Sequence, residues 1–338
     1  MNNENSRRRT LSVASAPHIG TSNSVRGMML DVLFALVPAL CVSVYFFGPR
    51  ALLLVCVTVA SCVLSEYLYR KLLHLPGSVG DLSAAVTGGL LAMCLPVTTP
   101  WYLAALAGGF AIVVVKQIFG GLGKNFLNPA LLGRLCLFSF PAVMSVFGAT
   151  GVEHWAPLGG VDTVSAPTPL SFLHGGALPQ GVSLREMFLG QRGGSLGEIA
   201  AFALILGGLY LVARGVIRLR IPLCFLGTVA VLTFLFPQGG NDAFQWMSYE
   251  LLSGGLMLGA IFMATDPVTS PITPMGQVLY GIGCGALTVL LRYFGPYPEG
   301  VCGAILGMNM LVWALDKIGV PRRFGTALLP QKSGEVAR

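Results

Sequence analysis

One polar stretch of this sequence, residues 162–170 (DTVSAPTPL), concentrates side chains that could react. It combines hydroxyl groups with a carboxylate, and prolines on both sides of Thr168 fix the backbone around that hydroxyl. A hydrolytic site would need an oriented histidine, but His154 and His174 have no evident orienting partner. Taken alone, the stretch predicts a rigid, exposed turn that presents a threonine.

A second polar segment, GGLGKNFLNPALLGR at residues 120–134, is rich in glycine. Glycines such as Gly121 and Gly123 can expose backbone N–H groups to an anion, and Asn125 and Asn128 offer amide contacts. The segment is therefore a candidate for ligand contacts. An ordinary glycine-rich turn is the alternative.

The elements that position these side chains must lie in a membrane. Of 338 residues, 54% are hydrophobic and 10% are charged, and the mean hydropathy is +0.75. A soluble domain carries about 25% charged residues, so a soluble fold of this size could not cover its surface. The eight cysteines show no CxxC or Cys/His ligand spacing. The sequence therefore predicts no iron–sulfur or zinc site built by this chain alone.

Apolar runs long enough to cross about 30 Å of hydrocarbon predict an all-α polytopic membrane protein with about ten transmembrane helices. The predicted spans are 29–48, 51–70, 81–98, 101–119, 130–148, 197–214, 221–238, 248–265, 276–294 and 300–317. They divide the chain into an N-terminal segment 1–28, a five-helix half 29–148, a loop 149–196, a second five-helix half 197–317 and a tail 318–338. The polar N-terminal segment lacks the pattern of a cleaved signal peptide.

Lysine and arginine predict the orientation of these spans. On the side of the N-terminus fall 17 of the 21 basic residues, Arg134 among them. Because basic loops stay in the cytoplasm, both termini are predicted to be cytoplasmic, and the loop 149–196 lies outside. The net charge of +7 is then an orientation signal, so nucleic acid is not predicted as a partner.

Two segments repeat the same motif. Residues 88–91 (GGLL) lead to 96–100 (PVTTP), and residues 254–257 (GGLM) lead to 267–271 (PVTSP). Each copy lies on the third span of its half, and five is odd, so the halves are predicted to form an inverted repeat. Such repeats place sites near the midplane, where interrupted helices leave backbone groups free. The alternative is that the prolines end helices and the glycines allow close packing.

Acidic residues border several spans, and each is costly to bury in lipid. Asp81 and Asp266 accompany the two copies of the repeat, so they are the candidates for ion coupling. The other acidic residues near span ends are expected to reach interfacial water; they are Asp31, Glu66, Glu250 and Asp316.

Together these motifs resemble the RnfD/NqrB family, whose members are membrane subunits of the Rnf electron-transport complex and of the sodium-pumping NADH:quinone reductase. The short N-terminal segment favours the Rnf member. The resemblance runs along most of the chain in six motifs: SAPHI (15–19), DLSAAVTGGLLAMCLP (81–96), GGLGKNFLNPALLGR (120–134), SAPTPL (165–170), FMATDPVTSP (262–271) and EGVCGAILGMNMLVW (299–313).

The resemblance implies FMN joined covalently through its phosphate to a threonine of the outer loop by a dedicated flavin transferase. The acceptor pattern of the family is Asp-x-x-Ser-Gly-Ala-Thr. In this sequence Asp162, Ser165 and Thr168 match it, while Ala166 and Pro167 replace the glycine and the alanine. Thr168 is the threonine in register, and Thr163 is the fallback.

By resemblance, the chain is a membrane subunit of an ion-translocating oxidoreductase in the bacterial inner membrane. It would couple electron transfer on the ferredoxin and NAD side to Na⁺ or H⁺ movement, with no complete active site of its own. Iron–sulfur and flavin subunits would be its partners. A second, non-covalent flavin such as riboflavin would contact Gly121, Gly123, Asn125 and Asn128. The alternatives are a small-solute channel or carrier without flavin, and a purely structural scaffold.

Overall fold

The structure is a computed structural model that describes residues 24–140, 146–148, 167–179 and 181–318. The helices of the first half are α1 (Val25–Phe47), α2 (Pro49–Leu72), α3 (Ser83–Met93), α4 (Trp101–Phe110, continued as a π-helix over Ala111–Gln117) and α5 (Pro129–Leu137). Two short helices follow, α6 (Pro169–His174) and α7 (Leu184–Leu189). The second half has α8 (Ala201–Ala213), α9 (Arg220–Leu235), α10 (Ala243–Leu252), α11 (Leu256–Leu258, continued as a π-helix over Gly259–Met263), α12 (Pro274–Phe294) and α13 (Val301–Leu315).

The chain is an all-α polytopic membrane protein, and the described ranges contain no strand. Three of the described helices, α1, α2 and α12, are long and apolar enough to cross a bilayer by length and composition. Other apolar helices are shorter, α8, α9 and α13 among them. Large apolar side chains such as Phe34, Leu64 and Leu223 are exposed. A chain that faces lipid can leave such side chains on its surface, whereas a soluble one buries most of them.

Helices α3 and α11 are too short to span a bilayer. The eleven residues of α3 rise only about 16 Å at 1.5 Å per residue, half of the roughly 30 Å of hydrocarbon. The prediction of a full span over 81–98 is therefore wrong. The predicted span 248–265 is also wrong, because the chain breaks between α10 and α11 at Ser253–Gly255. An apolar half-helix buried in protein has the same composition as part of a true span, so hydropathy does not separate them.

The two short helices, α3 and α11, run in opposite directions, because the start of α3 at Ser83 lies by the same cavity as Asn128 and as Asp266, which follows α11. The end of α3 meets the segment before α8, where Gly197 N donates to Met93 O over 2.7 Å. The start of α11 lies at that same end, beside Glu198. Its π-helical end meets the start of α5, where Asn128 Nδ2 donates to Met263 O over 3.3 Å. This is the relation that an inverted repeat predicts.

The fifth predicted span, 130–148, forms helix only from Pro129 to Leu137 in the described part of the chain. Residues 141–145 lie outside the described residues. The same holds for residues 1–23, 149–166, 180 and 319–338, which include Asp162, Thr163, Ser165 and most of the outer loop.

Glycines let helices approach closely, both within the first half and between the two halves. A Cβ on Gly88 of α3 would lie 2.7 Å from Val59 Cα of α2, and a Cβ on Gly207 of α8 would collide with Ala35 O of α1. Small residues at helix contacts are the usual means of close packing in membranes. Gly88, one glycine of the repeated motif, therefore serves close helix packing.

We expect Gly207→Ala to lower the free energy of unfolding by about 1–3 kcal/mol, because the new methyl group must push α8 away from α1. The matched control is Gly227→Ala on α9, where no described residue outside the local helix backbone comes within 4 Å of the position that the new methyl group would take. That change should be neutral or stabilising by up to about 1 kcal/mol, since alanine favours helix over glycine. Thermal unfolding in detergent compares the two variants. Equal midpoints would contradict the close contact between α1 and α8.

Candidate functional site: a charged cleft and an interior cavity

Thr168 lies at the start of helix α6 and lines a small cleft with residues from distant parts of the chain. Its backbone is extended, with φ −76° and ψ 148°, and Pro169 occupies the first helical position. Proline suits that position because its missing N–H is not needed there. The Thr168 side chain makes no capping hydrogen bond and the residue is partly buried. Its hydroxyl is therefore not committed to holding the helix.

The cleft beside Thr168 has a volume of about 10 Å³, which is room for one water-sized group. Its walls come from α6, the segment before α8, the break before α11 and the loop before α13; they are Thr168, Pro169, Leu170, Arg192, Gly193, Glu198, Gly254 and Glu299. Gly254 has φ +63°, a conformation that favours glycine. The second glycine motif of the repeat thus makes the chain turn at this cleft.

An arginine of the first half joins two carboxylates of the second half at the cleft. Arg134 on α5 bonds to Glu299, and its guanidinium lies 3.5 Å from Glu198 Oε1. Arg134 and Glu198 are almost fully buried, with 4% and 5% of the side chain exposed. Burial raises the pKa of the Glu299 carboxyl to about 7, although Arg134 opposes the shift.

This ion cluster corrects the predicted position of Arg134. The distribution of basic residues predicts Arg134 on the side of the N-terminus and Glu299 on the other side. Their direct contact places Arg134 at the same end of the molecule as the cleft, so that prediction is wrong for this residue. A charge inside an apolar run can serve a buried ion pair instead of marking a loop.

Arg192 is a cation of the cleft with no carboxylate bonded to it in the described chain. Its Nη2 donates to the Glu198 carbonyl oxygen over 2.6 Å. Within the described ranges its Nη1 has no hydrogen-bond partner, although only 4% of the residue is exposed. Burial lowers the pKa of Arg192 to about 10, and Glu198 opposes that shift. An unpaired, buried cation of this kind carries a large desolvation cost.

A second buried ion pair lies next to the cleft. Arg292 Nη1 donates to Glu250 Oε2 over 2.6 Å, and Arg292 Nη2 donates to Ser253 O over 2.8 Å. Both ends of the pair are 2% exposed. The expectation that Glu250 reaches interfacial water is therefore wrong. This pair holds the backbone at the break between α10 and α11.

The glycine-rich segment 120–134 contributes to a separate cavity of about 80 Å³, which reaches between the helices and is partly open to the outside. Asn125 and Asn128 line it, together with Asp266, Ser83 and Lys116. The cavity therefore brings one carboxylate of the repeat together with residues of the first half.

The two asparagines of this cavity differ in whether their side chains keep an unused hydrogen-bonding group. Asn128 caps α5, where its Oδ1 accepts from Ala130 N over 3.0 Å, and its Nδ2 donates to Met263 O. Asn125 Nδ2 donates to Leu127 O, but its Oδ1 is buried without a partner in the described chain. Asn125 thus offers an unused acceptor, whereas Asn128 is committed to the fold.

Gly121 and Gly123 do not line the cavity; Leu122 between them does. Both glycines have positive φ, +93° and +88°. The N–H of Gly121 donates to Lys116 O over 3.0 Å inside the turn, so it is not available to an anion. At Gly121 the glycine serves the backbone conformation, as in an ordinary turn.

A chain of polar contacts links Asp81 to the wall of this cavity. Ser83 Oγ donates to Asp81 Oδ1 over 2.5 Å, and Lys116 Nζ donates to Ser83 Oγ over 2.5 Å. Lys116 Nζ also lies 3.1 Å from both oxygens of Glu66. Glu66 is fully buried, so the expectation that it reaches interfacial water is wrong.

The ion pair between Lys116 and Glu66 was not predicted from the sequence. Each is a single charge inside an apolar run, at AIVVVKQIF and VLSEYLY, and such charges usually face a partner. That signal is present in the sequence, but it does not say which of the many charges is the partner.

Comparison with known proteins adds a second line of observation. Residues 12–325 match the model of the NQR2, RnfD, RnfE family. The chain is 43% identical to the D subunit of the Na(+)-translocating ferredoxin:NAD(+) oxidoreductase complex of Acetobacterium woodii, and the match covers 96% of this chain and 98% of that protein. It is 40% identical to the D subunit of the proton-translocating ferredoxin:NAD(+) oxidoreductase complex of Clostridium ljungdahlii, covering 93% and 96%. It is also 40% identical to the D subunit of the ion-translocating oxidoreductase complex of Stutzerimonas stutzeri, covering 90% and 93%.

Proposed function

The chain belongs to the NQR2, RnfD, RnfE family, and we propose that it works as the RnfD-type subunit of a redox-driven, ion-translocating complex in the bacterial inner membrane. The observation that carries this proposal is the match at 43% identity over nearly the full length of both chains. The relatives are named as subunits of ferredoxin:NAD(+) oxidoreductase complexes, one Na⁺-translocating and one proton-translocating. Donor sites and iron–sulfur clusters would then belong to partner subunits.

The finer part of the proposal is covalent FMN at Thr168, held through its phosphate as a threonine ester. Three features support this position: the uncommitted hydroxyl, the fixed backbone before Pro169, and a cleft that faces Thr168. The cleft, at about 10 Å³, has room for one water-sized group such as a single phosphoryl oxygen, and not for a three-ring flavin. The flavin ring would lie outside it, where it can exchange electrons with partner carriers. In the proposed topology this end of the molecule is periplasmic.

The ion-coupling part of the proposal concerns Asp81 and Asp266. Asp266 lines the interior cavity, and Asp81 is joined to the same cavity wall through Ser83 and Lys116. Carboxylates inside a membrane protein usually mark an ion or proton path. We propose that Na⁺ or H⁺ passes this cavity. Ion pumping is measured in the variants Asp81→Asn and Asp266→Asn. Unchanged pumping in both variants would contradict this proposal.

We also propose non-covalent riboflavin at the cavity of Asn125 and Asn128, supported by the Asn125 Oδ1, which has no partner in the described chain. The cavity of about 80 Å³ is smaller than the roughly 150 Å³ that admits benzene. An isoalloxazine would therefore have to displace side chains or extend beyond the cavity. Extraction of the purified protein with acid, followed by chromatography of the released flavin, tests the proposal.

Covalent FMN is tested by in-gel flavin fluorescence after denaturing electrophoresis, with a flavin transferase co-expressed. We expect a fluorescent band from the wild type and from Thr163→Val, and its complete loss from Thr168→Val, because an ester needs the hydroxyl. Thr163 is a suitable control, since it lies in the same stretch and is the fallback acceptor.

Two outcomes would contradict this assignment. Loss of fluorescence in Thr163→Val alone would move the ester to Thr163. No fluorescence in the wild type, with the transferase shown to be active on another substrate, would mean that Ala166 and Pro167 disable the acceptor motif. A flavin-free solute carrier with an inverted repeat would then become the better hypothesis.

A further inference from the structure

The cleft beside Thr168 holds an arginine whose position the proposed function leaves unexplained. Arg192 is 4% exposed, and its Nη1 has no hydrogen-bond partner in the described part of the chain. The other arginines nearby, Arg134 and Arg292, are each paired with a carboxylate. A buried guanidinium group left unpaired is costly, so a missing anion is the simplest explanation.

From this geometry we infer that Arg192 binds the phosphoryl group of the flavin ester on Thr168. The two residues line the same cleft, and arginine binds phosphoryl oxygens through paired N–H groups better than lysine does. A phosphate diester carries one negative charge, which neutralises one guanidinium. The inference rests on the proposed covalent FMN, and it assigns Arg192 a positioning role, not a redox role.

The surrounding charges leave this role to Arg192. Glu299 accepts a hydrogen bond from Arg134, and Glu250 accepts one from Arg292. Glu198 lies 3.5 Å from Arg134, and its Oε1 has no hydrogen-bond partner in the described part of the chain. The Arg192 Nη2 group is held in place by the Glu198 carbonyl oxygen. That contact fixes the guanidinium plane while its other nitrogen remains available in the cleft. A phosphoryl oxygen that accepts from Nη1 in the cleft would hold the phosphate next to Thr168 and leave the flavin ring outside.

The test is ³¹P NMR of the flavinylated protein, which observes the diester itself and not electron transfer. The samples are the wild type, Arg192→Met, Arg192→Lys and the control Arg185→Met, each co-expressed with the transferase. Arg185 lies on the same loop and is exposed, so the control removes the same charge without touching the cleft. Each sample is measured folded and again after denaturation in SDS.

We expect the folded wild type and Arg185→Met to share one resonance, displaced from the position in SDS. The Arg192→Met resonance should lose that displacement, and the Arg192→Lys resonance should keep part of it. A folded wild-type resonance that coincides with the denatured one would overturn the inference, even if Arg192→Met fails to accumulate. So would an Arg192→Met resonance identical to that of the folded wild type.

The two proposals fail in different ways. A wild type without covalent flavin removes both the FMN ester and the role of Arg192. A wild type with covalent flavin and an undisplaced resonance removes only the role of Arg192, because the ester is then present but lies in water.

Discussion

Replacing Arg134 by leucine is expected to lower the free energy of unfolding by about 3–5 kcal/mol, the usual cost of removing one partner from a buried ion cluster. The leucine variant leaves Glu198 and Glu299 in the cleft without their cation, and both are largely buried. The carboxyl groups must then take up protons or draw in water, and either response costs stability. SDS titration in mixed micelles measures the loss.

The matched control for Arg134 is Arg214→Leu. Arg214 also forms an ion pair, with Asp31 at 3.2 Å, but 59% of its side chain is exposed. Exposed pairs contribute about 0–1 kcal/mol, so this variant should unfold nearly like the wild type. Similar losses in the two arginine variants would mean that the Arg134 cluster is solvated and does not tie the two halves together.

Replacing Lys116 by methionine is expected to cost about 3 kcal/mol or more, because Glu66 then remains as an uncompensated charge in the interior. Lys116 and Glu66 are 2% and 0% exposed, and the Lys116 ammonium also donates to Ser83. Methionine keeps much of the length of the lysine side chain, so the charge is the main change. The same SDS titration measures the loss.

A double variant separates the charge from the packing. Lys116→Met combined with Glu66→Gln removes both charges and should recover much of the loss, since a neutral pair needs no compensation. The surface control is Lys71→Met on α2, whose ammonium lies over the Tyr67 ring. It should change stability by less than about 0.5 kcal/mol. A double variant that is less stable than the sum of the two single changes would contradict a charge-compensated pair.

The two short helices, α3 and α11, show how much of the fold a repeated sequence motif predicts. The repeated GGL and PVT motifs predict corresponding helices in the two halves, and a short helix does precede each PVT motif: α3 precedes 96–98, and α11 with its π-helical continuation precedes 267–269. The pattern also predicts full spans there, which is wrong. Apolar composition indicates only that a segment is buried away from water. The interior of a membrane protein is about as apolar as lipid, so a segment buried in protein and one that spans the bilayer have the same composition. Composition therefore gives no measure of how deep a helix reaches.

At the candidate site, too, the sequence predicts one residue and leaves its partners to the folded structure. Thr168 is the proposed flavin acceptor because of the motif that surrounds it, and it lies beside a charged cleft. The partners in the cleft do not follow from any local pattern. Arg134, Glu198 and Glu299 come from three separate segments, and the spacing of charges along an apolar chain does not reveal which of them pair.

Composition and ordered motifs are properties of the chain alone, and they were enough to predict the all-α membrane class and the family. They also single out Thr168 as the proposed flavin acceptor. The charge pairs required the folded chain: Arg134 faces Glu198 and Glu299, Glu66 pairs with Lys116, and Arg192 keeps a nitrogen without a partner in the described ranges. The physical reason is that burying a charge is costly in any apolar surrounding. The cost requires a partner, and the packing of distant helices decides which residue that partner is.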